Sequence, residues 1–516
     1  MKNKVRVSLL FIVLVCSCTT SPLRIEDKAE VKPDVGDKPR LARIFASVVD
    51  EHPDKTGVIL LRNGRRALRE RIVLAEQAER SIDAQYFIWN SDRSGNLLLQ
   101  ALIQAADRGV SIRLLLDDFN IGDRTPQFLA VNSHPKIQVR AYNPFVNRSG
   151  IAKWMNMASD FGRLNRRMHN KTYIIDDTIA IVGGRNIGDE YFNLNEHINH
   201  TDLDLLAVGS AVKQISDSFE DYWISPRAIP IDQLVKDAAA EPDTVYPWPI
   251  RGKDGREASW MISAVNGQSI EAYSEGLLNE FIWAPAVFIQ DLPWSDQNRG
   301  QENRPKAVAK KLRQLAEDSK EEILIESAYL VFDEQGTELA ARLVKQGVRI
   351  RALTNSMASN DVLPNHASYA MVRRKMLNSG ISLYELRPDA ESCLGLIGFQ
   401  EYCDQDSFLS LHSKSAVFDR QTLYIGSLNL NLRSVYLNTE VGMIIDSPVL
   451  AEQLSRQIEM NMRPVNSWQI LIEDDQLRWI TTVNGINKTT SIEPRTRWLQ
   501  RFKAGVLMIL PGAQYY

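Results

Sequence analysis

Two short stretches place an imidazole two residues before an ammonium group and seven before a carboxylate: His169, Lys171 and Asp176 in HNKTYIID, and His412, Lys414 and Asp419 in HSKSAVFD. If the apolar run after each histidine is a strand, His169 and Lys171 share a face, as do His412 and Lys414, because strand side chains repeat with period two. Each copy then sets a nucleophile or acid–base group beside a cation suited to an anionic substrate. After Asp176 the turn DDT leads to IAIVGG, and after Asp419 the turn DRQ leads to TLYIGS, so both copies read as hairpins. A glycine follows each histidine by 14 residues (Gly183, Gly426) and an asparagine by 17 (Asn186, Asn429). Agreement at five positions is not coincidence, and two half-sites imply one active site built between two halves of the chain.

The surrounding pattern repeats as well. Residues 65–80 have helical spacing, SIDAQYFIW reads as a buried strand, SGNLLLQALIQAADR as a helix closed by Gly109, and VSIRLLLDD as a second strand. This is a βαβ unit with a crossover helix. The second half answers with AVAKKLRQLAEDSK, EILIESAYLVF, the helix ELAARLVKQ closed by Gly347, and VRIRALTNS. Gly109-Val110 and Gly347-Val348 lie 60 and 65 residues before their histidines, so the duplication extends well beyond the motif.

Paired HxK(x)4D motifs with trailing glycine and asparagine resemble the phospholipase D superfamily. GRLNRRMHNK, VGGRNIGDEYF, SMASNDV and GSLNLNLRSVYLNTE are similar to its bacterial class C cardiolipin synthases. The resemblance covers most of the chain after about residue 55. It implies an α/β fold of two halves with mixed sheets, related by a pseudo-twofold axis, with the active site at their interface. The implied activity is phosphatidyl transfer or phospholipid hydrolysis through a covalent phosphohistidine, without metal or cofactor. His169 is then the nucleophile and His412 the general acid and base, although the residues alone leave the reverse open. Lys171, Lys414, Asn186 and Asn429 are expected to hold the phosphate oxygens. Asp176 and Asp419 are expected to order the hairpins rather than to do chemistry. Asp204 in TDLDLLAV and Glu440 in LNTEVGMII precede apolar strands at matching places, and the resemblance suggests that they orient the imidazoles. Arg166, Arg167 and Arg185 are candidates for an anionic head group, with a structural ion pair as the alternative for Arg185. The implied substrates are phosphatidylglycerol, with phosphatidylethanolamine as a further donor, presented at a membrane surface. The sequence leaves any protein partner open.

Composition bounds these readings. With 516 residues, 44% hydrophobic and 24% charged, the chain is globular and long enough for two or more cores. Lys2, Lys4 and Arg6 precede an apolar run from Val7 to Val15 and then CSC, the pattern of a signal peptide ending in a lipobox, with Cys18 as the lipidated residue. Loss of residues 1–17 removes three basic and no acidic residues, taking the formal charge from −3 to −6. Nucleic-acid binding is not expected of such an acidic body. The expected location is the bacterial cell envelope, lipid-anchored and facing the periplasm, with Thr19 after the cysteine favouring the outer membrane. Export also favours a disulfide between Cys393 and Cys403.

The expected division is a signal peptide (1–17), a tether (18–55), a first half (56–225), a Trp/Pro-rich connection (226–305), a second half (306–470) and a C-terminal extension (471–516). Trp248, Trp260, Trp283 and Trp294 in the connection suit either a lipid interface or ordinary packing, with packing favoured. Residues 147–168, with Trp154, Met155, Met157 and Phe161, suit either acyl chains and a head group or packing over the first hairpin. The stretch from Arg495 to Leu510 reads as an amphipathic helix, lying on a membrane or docked on the body.

Overall fold

The computed structural model describes residues 38–146, 155–156, 159–234, 270–294, 304–397, 403, 408–483 and 485–509. Residues 1–17 with most of the tether, Cys18, Trp154, Met157, Trp248 and Trp260 lie outside the described residues.

Two large mixed sheets carry the two halves. The first has the order β10-β1-β8-β6-β5-β2-β3-β4-β9. Its strands are β1 (Thr56–Leu61), β2 (Ser81–Tyr86), β3 (Ser111–Asp117), β4 (Ile137–Tyr142), β5 (Thr172–Ile175), β6 (Ile179–Gly183), β8 (Asp204–Gly209), β9 (Ala228–Pro230) and β10 (Ile282–Ala284). The second runs β11-β18-β17-β16-β12-β13-β14-β19-β20-β21. It is built from β11 (Ala286–Gln290), β12 (Glu322–Ser327), β13 (Arg349–Asn355), β14 (Ser382–Leu386), β16 (Lys414–Phe418), β17 (Thr422–Gly426), β18 (Val441–Asp446), β19 (Ser467–Glu473), β20 (Gln476–Val483) and β21 (Ile486–Thr490). The remaining strands, β7 (Ile198–Thr201) and β15 (Phe408–Leu411), pair in parallel with each other and so join the halves.

The helices are α1 (Arg40–Asp50), α2 (Gly64–Gln77), α3 (Arg93–Asp107), α4 (Thr125–Asn132), α5 (Phe161–Leu164), α6 (Ser210–Trp223), α7 (Ile270–Glu280), α8 (Ala307–Asp318), α9 (Glu334–Lys345), α10 (Leu363–Asn378), α11 (Ser392–Ile397), α12 (Leu432–Tyr436), α13 (Pro448–Met462) and α14 (Trp498–Met508). The inner faces of both sheets share one apolar cluster with α6 and α13, including Leu115, Ile174, Phe219, Leu353, Val417 and Ile458. The outer face of each sheet has a core of its own.

Local chemistry explains why the halves match. Asp176 and Asp177 sit at φ 51° and 49°, and Asp419 and Arg420 at 50° and 52°, the two positive values at the centre of a primed β-turn, closed by the Thr178 N–H on the Ile175 carbonyl and the Gln421 N–H on the Phe418 carbonyl. The Asp176 carboxylate accepts from the backbone N–H groups of Glu79, Arg80 and Ser81 at 3.0, 2.7 and 2.9 Å. Asp419 accepts from Lys320, Glu321 and Glu322 at 2.8, 2.8 and 2.9 Å. Each motif aspartate therefore pins its hairpin to the start of the adjacent strand. Asp92 and Asp333 cap α3 and α9 through the N–H of Gly95 (3.0 Å) and Gly336 (2.7 Å). Gly109 and Gly347, at φ 104° and 98°, close those helices in the left-handed conformation that glycine adopts without strain.

The expected boundaries move in three places. The tether does not run to residue 55, because α1 buries Leu41 and Phe45 in the first core; Leu41, Ile44, Phe45 and Val48 have the spacing of one helix face. The connection supplies edge strands to both sheets, β10 beside β1 and β11 beside β18. Its Trp283 stacks on His52 with ring centroids 4.5 Å apart, and buried Trp294 lies under Arg166 and Arg227. Both are packing residues. The C-terminal extension continues the second sheet through β19–β21 and ends in α14, which docks on α10 with Ala504 buried. Trp498, Leu499, Phe502 and Ile509 of that segment remain exposed. Cys393 and Cys403 are joined in a disulfide. Among the described residues no helix is long and apolar enough to cross a membrane.

Candidate active site

Both motifs lie where the two halves meet, and each is held by backbone from the other half. The N–H of His169 donates to the carbonyl of Thr439 at 2.9 Å, and that of His412 to the carbonyl of Thr201 at 2.8 Å. The next residue in each case is an acid. His169 Nδ1 lies 2.9 Å from Glu440 Oε2, and His412 Nδ1 lies 2.5 Å from Asp202 Oδ2. The contacts are reciprocal, as a twofold relation between similar surfaces requires. With the carboxylate ionised, Nδ1 carries the ring proton and Nε2 keeps its lone pair for attack or proton transfer.

Asp202, not Asp204, is therefore the partner of an imidazole. Asp204 already lies inside the sheet, on rungs with Leu61 and Gly183. It is fully buried and accepts from Arg71 Nη2 at 2.9 Å and from the Arg185 N–H at 3.1 Å. Asp202 stands ahead of the first rung of β8, where the second half reaches it. The sequence carried this signal in Thr201-Asp202 and Thr439-Glu440, a shared Thr-acid pair. Glycine permits the close approach. A Cβ on motif Gly183 would lie 2.2 Å from Asp204 Oδ1 and one on motif Gly426 2.3 Å from the Val441 carbonyl, while one on the neighbouring Gly184 would lie 2.3 Å from Asp202 Oδ1.

Lys171 and Lys414 are buried beneath the imidazoles. Lys171 Nζ donates to the His169 carbonyl at 2.6 Å, and Lys414 Nζ donates to that of His412. Burial lowers the Lys171 ammonium well below its ordinary range, with Glu440 opposing and Lys414 adding to the shift. Burial brings Lys414 down to about 8 against the pull of Asp202 and Glu440. Two buried ammonium groups that repel each other favour an anion placed between them. Burial and the charge of Lys171 hold His169 well below its usual value, and burial with Lys414 brings His412 to about 3 against the pull of Asp202, so both imidazoles are neutral until an anion lies beside them.

The two carboxylates differ. Burial pushes Glu440 up to about 7, against Lys171 and the Ser427 hydroxyl that donates to it at 2.5 Å. Burial also opposes ionisation of Asp202, but His412 and Lys414 beside it hold it below the usual carboxylate range.

The other expected site residues separate into two groups. Asn186 and Asn429 are buried in the loops that follow the second hairpin strands. Asn186 accepts from the Ile88 N–H at 3.2 Å, while the Asn429 Oδ1 has no hydrogen-bond partner among the described residues. The arginines do not line an open head-group site. Arg185 is fully buried and donates to the carbonyls of Leu61, Arg62, Tyr191 and Asp202. Arg167 is buried on Asp117 at 3.0 Å, and Arg166 is buried with its guanidinium 5.1 Å from the Trp294 ring centroid. Phe87, Tyr191 and His200 were not singled out from sequence as site residues. Their rings stand 5.1 Å from that of His169 and 5.0 and 5.2 Å from that of His412, respectively.

Known proteins share this architecture. The cardiolipin synthase, PLD-like domain family matches the chain twice, over residues 72–223 and 312–462. Cardiolipin synthase C of Escherichia coli (strain K12) is 35% identical over 475 residues, which span 92% of this chain and 99% of that protein. Cardiolipin synthase 1 of Bacillus anthracis is 22% identical over 417 residues, 79% of this chain and 66% of that one. Among solved structures, phosphatidylserine synthase from Haemophilus influenzae Rd KW20 superposes with a TM-score of 0.53 at 14% identity, covering 91% of this chain and all of that one, a likeness of fold. With both halves matched and their motifs meeting at one interface, the chain belongs to the cardiolipin synthase, PLD-like domain family and is an enzyme of the phospholipase D type, a phosphatidyltransferase or phosphodiesterase.

Proposed function

We propose that the protein transfers a phosphatidyl group from one phospholipid to the hydroxyl of another at a membrane surface, making cardiolipin through a phosphohistidine. The observation that carries this reading is the pair of imidazoles, each held on Nδ1 by a carboxylate of the opposite half above two buried lysines. His169 Nε2 attacks phosphorus while the bond to the leaving alcohol breaks; His412, which takes up a proton on Nε2 when the negatively charged phosphodiester binds beside it, gives that proton to the alcohol. The acceptor hydroxyl then loses its proton to His412 as its oxygen bonds to phosphorus and the P–N bond breaks. Lys171, Lys414 and Asn429 stabilise the charge that gathers on the phosphoryl oxygens. Asp202 favours the protonated His412 against the burial and Lys414 that oppose it, whereas burial leaves Glu440 less ionised beside His169, so His412 is assigned as the acid and His169 as the nucleophile.

With phosphatidylglycerol as donor and acceptor, the products are cardiolipin and glycerol; phosphatidylethanolamine is the further donor. Support for a membrane surface comes from exposed Phe119, Val146, Met155 and Phe161 in segments that follow the C-terminal ends of β3 and β4, and from the apolar side of α14. Acylation of Cys18 and delivery to the outer membrane complete the proposal. Purified protein given vesicles of phosphatidylglycerol should yield cardiolipin by lipid mass spectrometry. His169→Ala and His412→Ala should each lose at least about 10²–10⁴ of the turnover. Phosphatidic acid as the sole product would leave a phospholipase, and a variant keeping half the activity would mean two independent sites.

A further inference from the structure

The outer layers of the two halves are not alike. Positions can be matched from Ser81 and Glu322, which both donate a backbone hydrogen bond to the motif aspartate of their half. Counting from there, Arg71 corresponds to Leu312, Tyr86 to Ser327 and Trp89 to Leu330; counting from the motif histidines, Tyr173 corresponds to Ala416. In the first half these four large side chains are almost fully buried and locked together. Arg71 Nε donates to Tyr86 Oη at 3.0 Å, Tyr173 Oη donates to the Arg71 carbonyl at 3.2 Å, and Trp89 packs edge-on against Tyr86. Helices α2 and α3 close over them in mutual contact.

The second half has a serine, an alanine and two leucines instead. Helix α8 buries Val308 and Leu312, and α9 buries Ala340 and Leu343. Between the two helices and the sheet runs an apolar cavity of about 170 Å³, lined by Leu312, Ile325, Leu339, Ala416, Leu430 and Val435 among others. Polar pairs bridge the helices across its outer side, Arg313 Nη1 with Gln335 Oε1 at 3.1 Å and Arg342 Nη2 with Glu317 Oε1 at 3.3 Å. Its walls are mostly apolar, so an apolar ligand seated there would bury surface favourably.

Two residues that line the cavity adjoin active-site residues in the chain. Leu430 follows Asn429 directly, and Ala416 stands two residues after Lys414 on the same strand, hence on the same face of the sheet. We propose that this groove between α8 and α9 holds one acyl chain of the phospholipid substrate, its phosphate lying over Lys414 and Asn429 and the chain passing between the helices. The assignment rests on the phospholipid reaction proposed above. It gives the second half the task of seating the lipid tail, a task closed to the first half by Tyr173 and its neighbours.

The test uses the full-length protein with phosphatidylglycerol that carries a diazirine near the end of one acyl chain. Photolysis should label peptides from α8, α9 and residues 430–436. Ala309→Trp, on the half-buried wall of the groove, and Ala416→Phe should each remove that label while the protein keeps a single cooperative melt. The ratio of long-chain to dihexanoyl phosphatidylglycerol turnover should fall about tenfold for every two methylenes expelled. Label falling elsewhere in the folded wild type would overturn the proposal, as would a segment of this chain crosslinked into the groove in place of lipid or an unchanged chain-length ratio in the folded Ala309→Trp protein. Labelling needs no turnover, so a protein that labelled here but made no cardiolipin would sink the reaction assignment and leave the groove standing.

Discussion

The two halves agree where the strands meet the site and disagree on the outer faces. The turn aspartates Asp176 and Asp419, the caps Asp92 and Asp333 and the closing glycines Gly109 and Gly347 occupy the same places and make the same bonds. The filling behind them does not match, for the first half packs Arg71, Tyr86, Trp89 and Tyr173 where the second carries Leu312, Ser327, Leu330 and Ala416. Backbone position is held in common, whereas packing volume is free to differ. The acids differ too, Asp202 held low and Glu440 pushed up to about 7. Each half therefore presents a differently ionised carboxyl to the imidazole of the other.

The largest effects should come from the crossed acids. Asp202→Asn and Glu440→Gln should each lower turnover about 10²–10⁴-fold by releasing one imidazole, measured as product formed per folded molecule. Asp204→Asn should act on folding instead. Removing one partner of the buried Arg71–Asp204 pair should cost about 3–5 kcal/mol in urea denaturation, with turnover per folded molecule within a few-fold of the wild type. Equal losses of turnover in the Asp202 and Asp204 variants would break the distinction between them.

Next in size is the difference in filling. Tyr173→Ala should destabilise by about 3–5 kcal/mol, since it empties a closed core, whereas Ala416→Gly should cost about 0.5–1 kcal/mol. A small loss for Tyr173→Ala would mean that the first half also tolerates a groove.

The last contrast is a pH dependence. Glu440 is raised by burial from an ordinary glutamate to about 7, so the folded state holds this proton more tightly than the unfolded one. Stability should fall as pH rises from about 4.5 through 7, by up to about 1.4 kcal/mol per unit, and turnover should rise over the upper part of that window as the carboxylate ionises. Glu440→Gln should flatten the stability profile in thermal melts at pH 5, 6 and 7. An unchanged profile would place the titration on another group.

Much of this was legible before any coordinates. His169, Lys171, His412 and Lys414 stand where two matched hairpins put them, because period-two alternation and turn chemistry are local rules. The error at Asp204 came from a rule that is not local. Both Asp202 and Asp204 precede the same apolar strand, and the choice between them depends on which one the other half can reach. Arg167 and Arg185 misled for a related reason, since a basic residue beside a motif looks like a ligand for anions until the buried carboxylate or carbonyls that hold it are in place. Helix α1 was hidden by the charged, proline-bearing stretch before it, although its apolar spacing was readable. The groove had no signature in either half alone; only position-by-position matching reveals that four large residues have small or aliphatic counterparts.

The crossed hydrogen bonds also bear on when the site can form during synthesis of the chain. A chain is made from its N-terminus, and early domains fold before later ones exist. When the first half has emerged, His169 has neither Thr439 to fix its backbone nor Glu440 to set its tautomer, and β7 has no β15 beside it. Its motif imidazole is held only when residues some 270 positions later arrive. A nascent or truncated chain therefore carries a complete first motif whose imidazole lacks both of the contacts that hold it in the whole protein.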